Sequence, residues 1–285
     1  MMRYPAIALL LAAAGCVRQP DPFEYVEPSL SVHGLLRAGE TEVAVSILRG
    51  VGEAGPGATV TLDNGATTVT LTRAASDSTC FGPYGVHDDS QTLSCFSAQL
   101  AAPVAPGSRW TLNAAVQPSY VVTGTTVVPG LPTIVRPLAR ERIAYGAPSN
   151  GSAAELTVEW QTAAAPRVVV RLGEGSAYRN GSRMPDVRCL LIESGDGEEA
   201  AVGQPSGSRR IFVQDVYCAS PTVSPVVQWD SVVAEVAVTA FDSAYAEFAL
   251  HGESVSRTRP GAALQGAYGV FGSAATAKRE IVVVK

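Results

Sequence analysis

Short segments in which apolar and polar residues alternate recur along most of the chain, and this period of two is typical of β-strands with one buried face. The first segments lie at residues 29–33, 42–47 and 58–62. Asp63-Asn64-Gly65 separates the third segment from a returning one at 67–72, and Asn-Gly between alternating runs is a strong hairpin signal. Further strands are predicted at 93–99, 109–116 and 120–127. Strands of this length and spacing predict an antiparallel β-sandwich over residues 29–130, of an immunoglobulin-like or transthyretin-like kind.

The segment Val128-Pro129-Gly130-Leu131-Pro132 interrupts the strand pattern and predicts a domain boundary or a sharp corner. A second set of strands is predicted at residues 155–161, 167–172, 188–192, 210–216, 232–239 and 281–284. Long, Gly-rich polar connectors are predicted at 173–182 and 194–208. The predicted fold is therefore mainly β, with two antiparallel sandwich-like lobes, and residues 131–285 form a β-rich C-terminal domain.

One short helix is predicted over residues 242–251, near the C-terminus. Asp242 is a good N-cap, and Gly252 is a good residue to follow the last turn. Tyr245, Phe248 and Ala249 share one face of this helix and are predicted to pack against the sheet.

The N-terminus contains an apolar run that ends in a cysteine, Leu9-Leu10-Leu11-Ala12-Ala13-Ala14-Gly15-Cys16, behind a positive charge at Arg3. The apolar run is shorter than the ~20 residues that a membrane-spanning helix needs. Small residues directly before a cysteine are what bacterial lipoprotein signal peptidases require. We therefore expect a lipoprotein signal peptide over 1–15, acylation of the Cys16 thiol and a lipidated tether over 16–28. The alternative is an ordinary secretory signal cleaved nearby.

The cysteine count agrees with export. Of the five cysteines, four remain after Cys16 is set aside. An even number in an oxidising compartment predicts two disulfides, and the spacing favours the pairs Cys80–Cys95 and Cys189–Cys218. A zinc site is the rival interpretation, but the chain has no C-x₂-C pair.

Charge excludes one class of partner. The formal net charge is −5, lysine occurs only at 278 and 285, and no run of Lys and Arg is present that would neutralise adjacent phosphates. Nucleic acid is therefore not expected to bind. Beyond the leader no stretch reaches 18 uninterrupted apolar residues, so a lipid anchor is predicted in place of a spanning helix.

Three segments together resemble an uncharacterised family (a domain of unknown function) of bacterial surface lipoproteins of the Bacteroidetes type. They are Pro28–Gly34 with the strand at 41–47, Gly107–Leu112 leading to Val127-Val128-Pro129, and a C-terminal signature at Gly266, Gly269, Val270, Phe271 and Gly272. Members of that family are often encoded beside TonB-dependent outer-membrane receptors. The resemblance implies a β-rich fold and an outer-membrane location, and it implies no catalytic residues. The four exported cysteines, the low lysine content and the long Gly/Ser connectors depart from the family pattern.

Common catalytic motifs are missing from the sequence: it has no Gly-x-Ser-x-Gly elbow, no His-Glu-x-x-His and no phosphate-binding Gly-Lys-[Ser/Thr] loop. Of the histidines, His33 is predicted on a polar strand face, His251 suits the C-terminus of the helix, and His87 lies in an acidic loop. We therefore predict no catalytic residue and no cofactor, and we expect that the protein is not an enzyme.

Two acidic segments are candidate sites. Asp77, Asp88 and Asp89 lie near the first disulfide and are weak candidates for Ca²⁺ ligands, but a solvated polar loop is the simpler interpretation, so no metal is predicted. Residues 196–199 are interpreted as an exposed acidic turn. A pair of carboxylates for glycoside hydrolysis stays open, because the separation of such a pair is set by the fold.

The remaining aromatic and glycine residues are given structural roles. Trp110, Trp160 and Trp229 are predicted in the core, although an exposed tryptophan would suit sugar stacking. Residues 266–272 are predicted to form tight turns and a close approach of strands near the final strand.

The sequence therefore predicts a lipid-anchored envelope protein of the bacterial outer membrane that acts as a binding or accessory component. A TonB-dependent receptor is a candidate partner. A carbohydrate-active hydrolase with a carboxylate site and a purely structural envelope protein are the alternatives.

Overall fold

The computed structural model describes residues 30–49, 57–75, 80, 92–117, 120–146, 154–163, 165, 167–194, 201–202, 206–220, 227–251 and 264–285. The predictions made for the leader, for Cys16 and the tether, for Asp77, His87, Asp88 and Asp89, and for residues 196–199 lie outside these ranges.

The N-terminal lobe is a sandwich of two sheets. Its strands are β1 (Ser31–Arg37), β2 (Glu42–Arg49), β3 (Ala58–Asp63), β4 (Thr68–Arg73), β5 (Thr92–Gln99), β6 (Arg109–Val116) and β7 (Tyr120–Val127). β1, β2 and β5 form one sheet, β3, β6 and β7 form the other, and β4 pairs with both β3 and β5. Alternate side chains of both sheets, such as Val45 and Leu112, are buried in the core between them. The predicted antiparallel β-sandwich is confirmed.

The predicted hairpin turn is also confirmed. Gly65 has a φ of 85°, and the Asn64 side-chain oxygen accepts hydrogen bonds from the backbone N–H groups of Ala66 and Thr67 at 3.0 and 2.8 Å. This side-chain turn leads β3 back into β4.

The C-terminal part of the chain supplies the other strands. They are β8 (Thr133–Arg136), β9 (Glu141–Ala144), β10 (Ala154–Gln161), β11 (Arg167–Arg179), β12 (Ser182–Ser194), β13 (Ala201–Val202), β14 (Ser206–Ala219), β15 (Ser231–Phe241), β16 (Leu264–Gln265) and β17 (Tyr268–Val284). The main sheet has the order β9-β17-β15-β11-β12-β14-β10-β8, in which β9 and β17 are parallel. Buried side chains of this sheet form a second core that includes Val158, Val238 and Ile281.

The predicted connector at 173–182 is wrong. β11 continues to Arg179, and Asn180 and Gly181, with φ values of 53° and 75°, turn the chain directly into β12. Two residues with positive φ are what a tight hairpin of this kind requires, and Asn-Gly supplies them at low cost. The connector predicted at 194–208 is shortened by β13 and by the start of β14 at Ser206.

The last strand joins the two lobes. Residues 268–274 of β17 pair in parallel with β1, whereas residues 274–284 pair with β15. Accordingly, Phe271 is part of the N-terminal core and Ile281 is part of the C-terminal core. The N-terminal core contains residues up to Val128 and also Leu264, Ala267 and Phe271, so the C-terminal segment returns to the first lobe and the two lobes share one strand.

A helix, α1 (Ser243–His251), follows β15. The Asp242 Oδ1 atom accepts a hydrogen bond from the Tyr245 backbone N–H at 3.0 Å, which confirms the predicted N-cap. The Tyr245 ring stacks on Phe241 with centroids 4.8 Å apart, and Phe248 meets His33 edge-on at 5.6 Å. Tyr245 and Phe248 therefore pack on the sheet as predicted, whereas the side chain of Ala249 and residue Gly252 lie outside the described part of the chain.

Candidate functional site

Both predicted disulfides are present. Cys80 is bonded to Cys95, with Cα atoms 5.8 Å apart, and Cys189 is bonded to Cys218, with Cα atoms 4.0 Å apart. The second bond joins directly opposite residues of β12 and β14 and so fixes the register of that strand pair.

The glycines of the C-terminal signature mark three close approaches. Gly266 and Gly269 have φ values of 86° and 103°, and a Cβ atom at either position would collide with a backbone carbonyl, of Val121 and of Val32 respectively. A Cβ atom at Gly272 would lie 2.7 Å from the Tyr245 Cβ atom, where the helix begins. The predicted close strand approach is thus observed, at Gly266 just before the final strand and at Gly269 and Gly272 within it.

The two apolar members of the signature face opposite ways. Phe271 is fully buried in the N-terminal core, and Val270 is 4% exposed and lines a cleft on the outer side of the same sheet. Every described part of the signature is therefore explained by packing.

A buried polar cluster joins the helix to both lobes. The Thr126 hydroxyl donates to Asp242 Oδ2 at 2.6 Å and also lies 2.6 Å from the Ser273 hydroxyl, which in turn reaches the Val127 carbonyl at 3.1 Å. Burial raises the pKa of Asp242, and the hydrogen bonds from Thr126 and from the Tyr245 backbone oppose that rise. Because these groups hydrogen-bond to one another and are buried, their role is structural: they hold the helix and the two lobes together.

A cleft of about 440 Å³ lies on the outer face of the sheet formed by β1, β2 and β17. Cys80 lines one part of it and Tyr245 of α1 lines another. Leu35 and Ala44 contribute apolar surface, and the charged groups are Arg37, Glu40 and Glu42. Arg37 and Glu40 form an exposed ion pair at 3.6 Å.

His33 is the imidazole of this cleft. The strand β1 alternates, so that Val32 and Gly34 face the core and His33 faces outward, as the sequence predicted. Its Nε2 atom is hydrogen-bonded to the Ser31 hydroxyl at 2.8 Å.

The three tryptophans are in the core, as predicted. Trp110, Trp160 and Trp229 are 4%, 3% and 5% exposed. Trp110 donates its indole N–H to the Ser108 hydroxyl at 2.9 Å, and the Lys285 amine lies 4.4 Å from the Trp229 ring centroid. None of the three offers a free ring face for sugar stacking.

An apolar surface that the sequence analysis missed lies on β12 and β14. Leu190, Ile192, Phe212 and Tyr217, which we term the β12–β14 patch, are 55%, 41%, 37% and 56% exposed. Leu190 lies directly opposite Tyr217, and Ile192 and Phe212 follow along the same face. The sequence signal was the consecutive apolar run Leu190-Leu191-Ile192, which places an apolar residue on both faces of one strand.

Charged pairs surround this patch. Arg188 pairs with Glu174 at 3.4 Å, and Arg210 pairs with Glu155 at 3.5 Å. An apolar centre inside a charged, solvent-exposed rim is the usual anatomy of a protein–protein interface.

Within the described ranges, no three His, Cys, Asp or Glu residues come together in a way that would hold a metal ion. No helix among the same residues has the length and apolar character needed to cross a membrane.

No family model and no curated protein matches this chain. Among solved structures, the crystal structure of DIP-gamma IG1+IG2 is similar over 90% of this chain and 97% of that chain, with 12% identity and a TM-score of 0.20. A likeness at this level assigns neither fold nor function, and the fold described above comes from the strands themselves.

Proposed function

We propose that this chain is a lipid-anchored protein of the bacterial outer membrane that binds a partner protein at the cell envelope through the β12–β14 patch. A TonB-dependent receptor is the candidate partner. Cys16 would carry the acyl chains, and the folded lobes would present the patch to the partner.

The observation that carries this proposal is the exposure of four large apolar side chains on two adjacent strands. Exposing a side chain of this size, in place of burying it, forgoes about 1.5–3 kcal/mol. Monomeric proteins seldom keep such side chains together in solvent unless the surface binds something. Tyr217 and Phe212 also belong to the residue types that contribute most at interfaces.

The alternatives receive less support. A purely structural envelope protein gives no reason for an exposed aromatic patch or for a cleft of about 440 Å³. A carboxylate hydrolase needs an acid of raised pKa in a cleft, but among the described residues the acid whose pKa burial raises, Asp242, caps a helix inside the fold.

The test is co-purification from membranes of a host that makes the full-length chain with a C-terminal tag. The wild-type chain is expected in the outer-membrane fraction and, after crosslinking, to be bound to a TonB-dependent receptor identified by mass spectrometry. Cys16→Ser is expected to leave the membrane fraction. The double variant Leu190→Ser/Tyr217→Ser is expected to stay in the membrane and to lose the receptor.

Val121→Ser is the matched control, because Val121 is an apolar residue that is 67% exposed outside the patch. It should keep both the membrane location and the receptor. Retention of the receptor by the double variant would exclude the patch as the binding surface. Repeated failure of the wild-type chain to bind any such receptor would exclude the proposed partner.

A further inference from the structure

Arg167, the first residue of β11, is a buried cation without a described partner. It is only 7% exposed, and its Nε and Nη1 atoms are fully enclosed and make no hydrogen bond. No ion pair reaches it among the described residues. A guanidinium with two enclosed, unpaired nitrogens has lost much of its hydration without gaining a counter-charge, which is costly in a folded protein.

The same stretch of chain holds further unsatisfied donors. Apart from Ser94, the buried polar side-chain atoms that lack a partner in the described residues belong to Trp160, Thr162 and Arg167. Trp160 Nε1 and the guanidinium nitrogens are donors only, and a hydroxyl can also donate. This stretch links the end of β10 to the start of β11, so the unsatisfied donors concentrate at one end of the C-terminal lobe.

That end of the lobe lies at the junction with the N-terminal lobe. Arg167 is directly opposite Phe241 on β15, Phe241 is opposite Ala274 on β17, and Ala274 is opposite Arg37 on β1. Phe241, whose ring stacks on Tyr245, is therefore the cross-strand neighbour of Arg167 where the shared strand passes from one lobe to the other. Junctions between lobes are frequent places for ligand sites.

We propose that Arg167 anchors an oxoanion-binding site at this junction, which takes a carboxylate or phosphate group of a small ligand. The guanidinium fork matches both groups through paired N–H donors, and the charge-assisted bonds would satisfy atoms that are otherwise unpaired. The site is separate from the β12–β14 patch and does not depend on the proposed partner.

An unpaired buried Arg167 should affect thermal stability in a way that an arginine with a purely structural role would not. Removing an unpaired buried charge should stabilise the ligand-free protein, because a neutral side chain of similar length fills the space without the cost of dehydration. Arg167→Met is therefore expected to raise the Tm in chloride buffer by at least about 2–4 °C. Arg179→Met, which removes an exposed arginine from the other end of β11, should leave the Tm unchanged.

The test measures thermal unfolding of the full-length chain in detergent, with sodium phosphate, sodium acetate and sodium chloride compared at equal ionic strength. Wild-type protein and Arg179→Met are expected to be stabilised by phosphate, by acetate or by both, relative to chloride, since an anion that binds the native state raises its stability. A response to phosphate alone assigns a phosphate-bearing ligand, and a response to acetate alone assigns a carboxylate. Arg167→Met should show no response, and calorimetric titration with the same anion should detect binding to the wild type alone.

Arg167→Lys is the second variant, because it keeps the charge and loses the fork. It should fold and show a weaker anion response than the wild type. A lower Tm for Arg167→Met in chloride would overturn the proposal, because it would show that the arginine is already satisfied. Equal anion responses in the wild type and Arg167→Met, or no response in the wild type, would overturn it as well.

Discussion

Cys189 and Cys218 form a disulfide between directly opposed residues of β12 and β14, one position away from the exposed pair Leu190 and Tyr217. The two pairs point to opposite faces of the same strands, so the bond beneath holds the register of the surface above. A slip of one residue would turn the apolar patch into the core. The disulfide therefore holds the strands of the proposed binding surface in register, in addition to cross-linking the chain.

Replacing both cysteines, as Cys189→Ser/Cys218→Ser, is expected to lower the free energy of unfolding by about 3–4 kcal/mol, because the unfolded chain gains loop entropy. Urea denaturation measures this change. Leu190→Ser/Tyr217→Ser, in the neighbouring cross-strand pair, is the control and should change stability by less than about 1 kcal/mol. The mass of the non-reduced chain gives a separate check, since four free thiols would contradict both disulfides.

Local features of the chain were predictable from the sequence. Alternation identified the strands, Asn64-Gly65 identified a turn, and Asp242 identified the start of the helix, because each depends on residues close together in sequence. The disulfide pairs were predictable for a related reason: each closes a short segment within one lobe.

Pairings between strands that are far apart in the sequence were not predictable. The alternation of β1 is compatible with many neighbours, and nothing in it selects residues 268–274 of β17. The hairpin at Asn180-Gly181 was missed because β11 contains a bulge, where Gly173 and Glu174 interrupt the regular pairing with β15. Gly175 is required there, since a Cβ atom would lie 2.5 Å from Val232, yet in the sequence it resembled part of a loop.

The burial of Arg167, at the proposed oxoanion site, was also not predictable from the sequence. An arginine at the start of an apolar strand is ordinarily interpreted as an exposed residue, and only the fold reveals that it is buried without a partner. The β12–β14 patch likewise needed the structure, because the sequence alone does not show which face of β12 meets solvent.

Gly269→Ala should strongly destabilise the protein. A Cβ atom would collide with the Val32 carbonyl, and the φ of 103° is unfavourable for any side chain, so β1 and β17 would have to separate. We expect a loss of at least about 1–3 kcal/mol, measured by urea denaturation. Gly173→Ala is the matched control, because its nearest contacts are at 3.5 Å and its φ is ordinary. Similar losses in both variants would contradict this explanation of the signature.

β11 and β12 pair only from Gly175 to Arg179 of β11. Beyond that segment there is a gap between the two strands, which the side chains of Arg209 and Glu193 close. The Glu193 carboxylate accepts the Leu172 N–H at 2.9 Å, and Arg209 donates to the Val170 carbonyl at 2.6 Å and to Glu193 at 3.5 Å. These two side chains thus satisfy backbone groups that a neighbouring strand would otherwise satisfy.

Arg209→Met is expected to cost about 1–3 kcal/mol of unfolding free energy, because it leaves the Val170 carbonyl and the Oε2 atom of Glu193 without the donor that Arg209 supplies. Arg210→Met is a close control: the next residue forms an exposed pair with Glu155, in which the side chains are 72% and 48% exposed. Its loss should be at most about 1 kcal/mol. Chemical denaturation of both variants measures the two losses of unfolding free energy. Equal losses would show that Arg209 does not stabilise the gap between β11 and β12.

Asp242 should make stability depend on pH. Burial raises its pKa in the folded protein, so the folded state holds the proton more tightly than the unfolded state does. The stabilisation linked to that proton is complete below the ordinary carboxyl pKa of about 4, and it is lost as the pH rises through the raised pKa of the folded state. Asp242→Asn keeps an oxygen to cap the helix but does not titrate, so the stability of the wild type relative to this variant should fall as the pH rises from about 4.

Asp63→Asn provides a control of opposite sign. Hydrogen bonds from the Thr68 hydroxyl and the Gly65 N–H lower the pKa of Asp63, so its contribution is present above the ordinary carboxyl pKa and is lost as the pH falls. Urea denaturation of the wild type and both variants across the acidic and neutral range should therefore give difference curves with opposite slopes. Two results would contradict this explanation: parallel slopes, or a stability difference between the wild type and Asp242→Asn that does not change with pH. Either would show that the Asp242 carboxyl is ionised as easily in the folded protein as in the unfolded chain.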